Sequence, residues 1–531
     1  MTKSPILAVA NPNDLSRRGF LQLGSFVIVT AAVSSCASPS SNSTPPKGGG
    51  SATLTVAVNR PITTLDNKLV PFDFQVTLQR AVHQALTWVG PDLEIVNVLA
   101  DSIERTGSNE WTVKLNTDAK YSDGSPVTVA DISKSIEMYK AVGGLTRFFG
   151  EWPTVQEVDE QTFVLQTPIP SSTMDSLMSY IMIAPADENK PEETDVPLGT
   201  GPYTITERNP QAGEFTLSRN ESFWGPEAPQ VETVKVRYIA EDSVRLAALK
   251  RGEIDVMDAV PPDAIAELES TDGIEVYRSP GTRLTHLFYN FRKPKSSPLS
   301  RASVREALTY AVDGQSLIKE LFLDSVSELQ GVVPQTLVGW YETGKYTYDP
   351  DKARSMLAAE GASDLEMTII WEAGEFLSDA AVMEAIGDML GQVGVKVSLK
   401  QFSSGDEILE WRQGKAGDWD VFANGFGNLT GQAIHSLQFL YASTPEMEKT
   451  RDSYQGFVFP EIAEVIVKAS AEEDEAQRSE YLRTAQEQVW AQWPALWGFV
   501  QNNSLAYRSR VSGIELSPVN SYDLINVRVD S

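Results

Sequence analysis

Cysteine is all but missing from this chain: Cys36 is the only one in 531 residues. An intrachain disulfide and a cysteine-based metal site are both excluded. Histidine is nearly as scarce. His83, His286 and His435 lie far apart and form no His-x-x-x-His or His-Glu-x-x-His pattern, so they read as ordinary packing or surface imidazoles rather than a zinc site. No block of like charge occurs, and a net charge of −28 argues against nucleic acid, whose phosphates demand a basic face. The acidity speaks for solubility and says little about a ligand, because exposed charges beyond about 8–10 Å are screened at physiological salt. Long apolar runs are missing too: the stretch from Leu23 to Val33 is too short to span a bilayer permanently.

The usual marks of catalysis are equally thin. A hydrolase needs a nucleophile with a base, yet there is no Gly-x-Ser-x-Gly elbow and the histidines sit in unrelated contexts. Asp123 and Asp131 could be posed as an acid/base pair, but a turn and a helix start explain them better. Gly339 to Tyr346 nearly spells a phosphate-binding loop. It fails because Tyr346 cannot give magnesium a small hydroxyl and Tyr348-Asp349-Pro350 leaves no helix to enter. Gly425, Gly427 and Gly431 have the wrong spacing for a dinucleotide loop. No cofactor is expected, and an exported hydrolase, kept as a competing class, would lack its usual machinery.

What is present begins with size. A chain of this length exceeds one compact core, and 41% apolar residues suffice for two or three substructures. Ser16-Arg17-Arg18-Gly19-Phe20-Leu21 ahead of the short apolar run resembles a twin-arginine export signal, and Val33-Ser34-Ser35-Cys36 resembles the bacterial lipoprotein box. Cleavage before Cys36 would free its thiol for a diacylglycerol, an anchor of two acyl chains. Residues 1–35 are thus expected to be a signal peptide. The Ser-, Pro- and Gly-rich stretch 36–51 has no apolar periodicity and reads as a disordered tether. The place of action is extracytoplasmic, at the cell membrane.

Organisation shows best between Val196 and Asp258. Tyr203 and Ile205, then Phe215 and Leu217, alternate with polar residues around Asn209-Pro210 and Gly213, which predicts two antiparallel strands. Val234, Val236 and Tyr238 make a further strand; a helix from Asp242-Ser243 to Gly252 follows, and Ile254-Asp255-Val256 resumes as a strand. Strand, helix, strand suggests a βαβ unit, whose ligand crevices lie beyond the carboxyl ends of the strands. Elsewhere the patterns predict helices over 79–86, 304–313, 380–390 and 482–490, and strands over 365–371, 393–399 and 419–423. A helix starting on Asp349-Pro350 and stopping at Gly361 carries its own cap and stop.

Gly199-Thr200-Gly201-Pro202-Tyr203, then Arg219-Asn220 with Phe223-Trp224-Gly225, then Leu249 with Gly252-Glu253-Ile254-Asp255-Val256 resemble the solute-binding proteins of ABC importers, of the oligopeptide, dipeptide and nickel type. Leu99-Ala100-Asp101-Ser102, the Ser122–Asp131 segment, Val304 to Asp313 and Tyr348 to Ala353 extend the resemblance over nearly all of residues 52–531. It implies an α/β, two-lobe periplasmic-binding-protein fold of type II, with an extra subdomain in the first lobe and the ligand cleft between lobes. Mapped here, the first lobe is 52–78, 199–289 and 498–531, its subdomain 79–198, and the second lobe 290–497. The hinge would lie at Tyr289-Asn290-Phe291 and Leu496-Trp497-Gly498. The partners implied are a small solute, a peptide or modified peptide first and a sugar or a chelated metal such as nickel second, together with a membrane permease, the protein acting as a monomer. Peptide-binding members place an aspartate in the loop that Asn424 to Gly431 resembles; none stands there, so a free α-amine would lack a charge partner. The expected ligand residues are Asn424, Phe426, Asn428, Trp371, Trp497 and Tyr289, with His435 for a chelated metal.

Overall fold

The computed structural model describes residues 52–62, 64–68, 75–142, 152–168, 170–187, 198–450 and 453–530. The expected signal peptide, Cys36 and the tether lie outside the described residues. Residues 50–531 form one compact unit. Among the described residues no helix is long and apolar enough to cross a membrane.

Alternating patterns supply nineteen strands among the described residues. They are β1 (Thr53–Val58), β2 (Thr87–Val89), β3 (Ile95–Asn97), β4 (Ala100–Gly107), β5 (Glu110–Leu115), β6 (Thr154–Glu157), β7 (Thr162–Gln166), β8 (Tyr203–Asn209), β9 (Glu214–Arg219) and β10 (Thr233–Tyr238). There follow β11 (Val256–Asp258), β12 (Ile274–Tyr289), β13 (Val326–Glu328), β14 (Glu366–Glu372), β15 (Lys396–Phe402), β16 (Val421–Gly427), β17 (Ala495–Arg508), β18 (Val511–Ser512) and β19 (Arg528–Val529). One sheet runs β15-β14-β16-β12-β17-β11-β1-β10-β9-β8, with β13 joined to β17. Its two ends are the sheets of the two lobes. In the first, β10 and β11 flank β1 in parallel, the product of a βαβ unit through α3 (Asp242–Arg251); in the second, β14 lies parallel between β15 and β16.

The long antiparallel strands β12 and β17 join the lobes. Their outer halves pack in the first-lobe core through Ile274 and Leu505, and their inner halves in the second-lobe core through Leu287 and Phe499. Between them the ladder slips: Pro280 faces Asn502, but Leu284 faces Val500, so residues 281–283 bulge opposite a single residue. A second slip lies between His286, which faces Gly498, and Phe288, which faces Ala495, so the ladder is also irregular at Leu496-Trp497, one of the expected crossings, where Tyr289 and Trp497 pack in the second-lobe core.

The subdomain is a second, four-stranded sheet, β4-β5-β7-β6, covered by α2 (Val129–Val142). Its core holds Trp111, Val113, Ile132, Ile136, Phe163 and Leu165. The two aspartates weighed as a pair have local tasks: Asp123 accepts from the Ser125 amide at 2.8 Å, and Asp131 accepts from the Thr128 amide at 2.8 Å at the start of α2.

Two local readings shift. α1 covers Gln75–Val82 rather than 79–86, and Gly199 and Gly201 are pressed on its end: a Cβ on either would meet the Val82 or Ala81 carbonyl oxygen at 1.9 or 2.3 Å. Asp242 is the first residue of α3 rather than its cap; its carboxylate pairs with Arg245 instead. The stop at Gly252 is as expected, with φ +73°. Asp349 caps its helix by accepting from the Lys352 amide at 2.9 Å, with Pro350 in the first turn.

Candidate ligand cleft between the lobes

Parallel strands β14 and β16 both end at the second lobe's edge facing the first, the position where open α/β sheets put their crevices. Two chain segments leave that edge. One is the turn 373–378 after β14; the other is the loop 428–432 after β16.

Seen from its side chains, the loop 428–432 is tied to itself and to the subdomain. Asn428 is 1% exposed, and its Oδ1 accepts from the Thr430 and Gly431 amides at 3.1 Å each and from the Thr430 hydroxyl at 2.9 Å. Its Nδ2 donates to the Gln432 carbonyl at 2.9 Å and to Ser436 Oγ at 2.8 Å. Since the Thr430 hydroxyl gives its one proton to Asn428, it accepts from His435 Nδ1 at 2.7 Å, leaving Nε2 to accept from the Thr173 hydroxyl at 2.9 Å. Burial holds His435 down at about 3, so the ring is neutral. Both nitrogens are engaged. Among the described residues no group of three or more His, Cys, Asp or Glu side chains could hold a metal ion.

The loop also carries contacts between lobes. The Leu429 amide donates to the Tyr180 hydroxyl at 2.8 Å, and the Leu429 side chain packs with Val89, Leu93 and Val519. Further out, the Ser172 amide donates to the Ser470 carbonyl at 2.6 Å, and Arg105 Nη2 to the Ala471 carbonyl at 2.7 Å. The lobes are in contact.

The turn 373–378 is different. It brings Glu375 to Arg283, the last bulged residue of β12, with Nη2 to Oε1 at 2.6 Å. The same Oε1 accepts from the Gly425 amide at 2.8 Å. Gly425 leaves room for the pair: a Cβ there would stand 2.6 Å from Arg283 Nη2 and 2.8 Å from Glu375 Oε1, so either side chain would have to shift. Burial raises the Glu375 carboxyl above the usual carboxylate range, and Arg283 and the Gly425 amide pull it back. Arg283 remains 41% exposed on its side chain.

The other expected ligand residues divide. Phe426 stacks on Phe439 at 4.3 Å between centroids, inside the second-lobe core. Tyr289 is buried and donates to the Arg305 carbonyl at 3.1 Å, and Trp497 is buried and donates to Glu328 Oε1 at 3.3 Å. Asn424 is half-buried in the middle of β16, opposite His286. Trp371, the penultimate residue of β14, is buried with its Nε1 donating to nothing. The structure brings Arg283 and Glu375 together at one edge, leaves Asn424 on the other face of β16 from that pair and Trp371 buried, and engages Phe426, Asn428, Trp497, Tyr289 and His435 inside the protein. Arg283 and Glu375 were missed by sequence reasoning; the signal was a pair of strand glycines, Gly425 and Gly427, spaced to leave one face open.

With that geometry in hand, likeness to known proteins is specific. Residues 94–448 match the model of the bacterial extracellular solute-binding proteins, family 5 middle. The glutathione-binding protein GsiB of Escherichia coli strain K12 is 25% identical over 517 residues, covering 94% of this chain and 96% of GsiB. Among solved structures, the ABC transporter-associated periplasmic binding protein DppA of Helicobacter pylori, in complex with the peptide STSA, superposes with a TM-score of 0.74 at 21% identity, over 90% of this chain and 98% of that one. NikA of Staphylococcus aureus in complex with Ni(L-His)2 gives 0.72 at 16% identity, over 90% and 100%.

Proposed function

The chain belongs to the bacterial extracellular solute-binding proteins of family 5, and on that premise we propose that it captures a peptide or modified peptide in the cleft marked by Arg283 and Glu375. As a member it is a solute-binding receptor of an ABC importer, and the family binds and transports rather than catalyses. The carrying observation is the ion pair itself. A free amine lacks an aspartate in the loop after β16, but Glu375 supplies a carboxylate at the same edge, and its Oε2 is free to accept while Oε1 is taken by Arg283 and Gly425. An amino-acid head with ammonium and carboxylate side by side fits the pair, the ammonium on Glu375 and the carboxylate on the guanidinium. Trp371, whose Nε1 has no acceptor, would add a neutral donor near it, and Asn424 would act from the other face of β16.

Capture works by closure. The lobes turn about the break at 281–283, and the loop 428–432 docks on the subdomain. A solute shifts such an equilibrium from 1% to 99% closed only if it binds the closed form better by about 5.5 kcal/mol. In this reading residues 52–78, 199–289 and 498–531 make the first lobe, 79–198 its subdomain and 290–497 the second. Lipidation of Cys36 after twin-arginine export holds the monomer at the membrane, where it delivers its solute to the permease.

Native mass spectrometry of protein purified without refolding identifies the solute. The expected result is a compound with both an amine and a carboxylate, whose affinity drops tenfold or more in Glu375→Gln, as one charge-assisted bond of about 1.5–3 kcal/mol requires. A captured neutral polyol, bound equally by the variant, sinks the assignment.

A further inference from the structure

We propose that Arg105, in the subdomain, is a latch that holds the lobes shut by capping the end of the second-lobe helix Pro460–Ala471. The latch rests on the closure reading above and is independent of which solute is held. A helix leaves its last carbonyls without partners of its own. At the end of this one, three successive carbonyls take their donors from the subdomain. The Ser470 carbonyl accepts from the Ser172 amide at 2.6 Å, the Ala471 carbonyl from Arg105 Nη2 at 2.7 Å, and the Glu472 carbonyl from Arg105 Nη1 at 3.3 Å. A guanidinium also brings positive charge to the negative end of the helix dipole.

Arg105 suits this task because it is aimed before closure. It stands on β4 beside the turn to β5, where Nε donates to the Gly107 carbonyl at 3.2 Å and Nη2 to the Ser108 carbonyl at 3.1 Å. Both bonds lie within the subdomain and persist when the lobes part. Docking therefore costs little side-chain freedom, and closure exchanges water for a preset charged donor on the carbonyls.

The contact is more than a screened surface pair, since the Arg105 side chain is only 13% exposed. Glu473, 3.8 Å from Nη2 and 64% exposed, adds little to it. The gap around Arg105 is lined by Thr106, Trp111, Ser172 and Arg478 among others, and by no residue of the turn 373–378 or the loop 428–432. Arg105 thus acts on closure without touching a solute, and apparent affinity follows the closed fraction.

Hydrogen exchange at the Ser172 amide reads the latch directly, because its acceptor lies in the other lobe. In protein purified without refolding, the amide is expected to be protected in the wild type and to exchange about tenfold faster in Arg105→Gln, the loss of one charge-assisted bond. The amides of β5 and β7 are expected to keep their rates; they would accelerate with Ser172 if Arg105 merely supported its hairpin. Unchanged exchange at Ser172, or equal acceleration in β5 and β7, overturns the latch while leaving closure standing. An unprotected Ser172 in the wild type overturns closure itself, and the latch with it. Should Arg105→Gln not fold, Arg105→Lys, which keeps the charge and loses the two-carbonyl fork, is expected to speed Ser172 exchange in the same selective way, and no change there overturns the proposal.

Discussion

Two segments leave the same edge of the second lobe, and they differ in where their polar atoms point. The loop 428–432 spends its side-chain bonds inward: Asn428 makes five, and His435 beneath it has both nitrogens occupied. The turn 373–378 presents an ion pair whose arginine is still partly in water. The loop holds a shape that meets the subdomain, and the turn holds the pair to which we assign the solute. A loop can border a binding cleft and contribute shape alone.

The sharpest way to break this contrast is Asn428→Ala. Losing a buried amide leaves the Thr430 and Gly431 amides and Ser436 without their partner, and an expected loss of about 3 kcal/mol in denaturant unfolding follows. A loss below about 0.5 kcal/mol would show that the loop is not held by its asparagine. Next in size is a difference in pH response. His435 has a folded pKa depressed below 6.5, so its contribution is complete above 6.5 and fades as pH falls through that value towards about 3. Glu375, with its folded pKa raised, has the opposite sign: its contribution is present at low pH and is lost as pH rises through the folded value. Unfolding midpoints at pH 7.5, 5.5 and 4.5 are expected to fall towards acid less steeply in His435→Gln than in the wild type, and more steeply in Glu375→Gln. Identical slopes in all three would erase the contrast.

Removing the ion pair is expected to separate stability from binding. Arg283→Gln should cost no more than about 1 kcal/mol, because one partner is partly exposed, yet weaken the co-purified solute at least tenfold in calorimetry. A large loss of stability with unchanged affinity would make the pair a structural element. Asn424→Ala is the mildest variant: half-buried and on the other face of β16 from the ion pair, it should stay within about 0.5 kcal/mol in stability, and any affinity loss should be smaller than that of Arg283→Gln.

How far the sequence could be read follows the same division. The β8–β9 hairpin, the βαβ unit through α3 and the helix capped by Asp349 were legible because alternation, caps and stop glycines act over a few residues. Arg283 and Glu375 were not, since their encounter is 92 residues apart in sequence and depends on the lobe's sheet order. Aromatic residues are ambiguous for a chemical reason: a ring able to stack on a ligand is equally able to fill a core, and Phe426, Tyr289 and Trp497 lie in cores. Nothing local to His435 reveals that Thr173, 262 residues away, takes its second nitrogen.

Closure around a held solute is the claim on which the rest turns, and small-angle scattering measures it directly. Protein stripped of its solute is expected to show a larger radius of gyration that contracts on adding the solute back, with Glu375→Gln needing at least tenfold more solute to contract. Scattering curves that coincide with and without solute would contradict it.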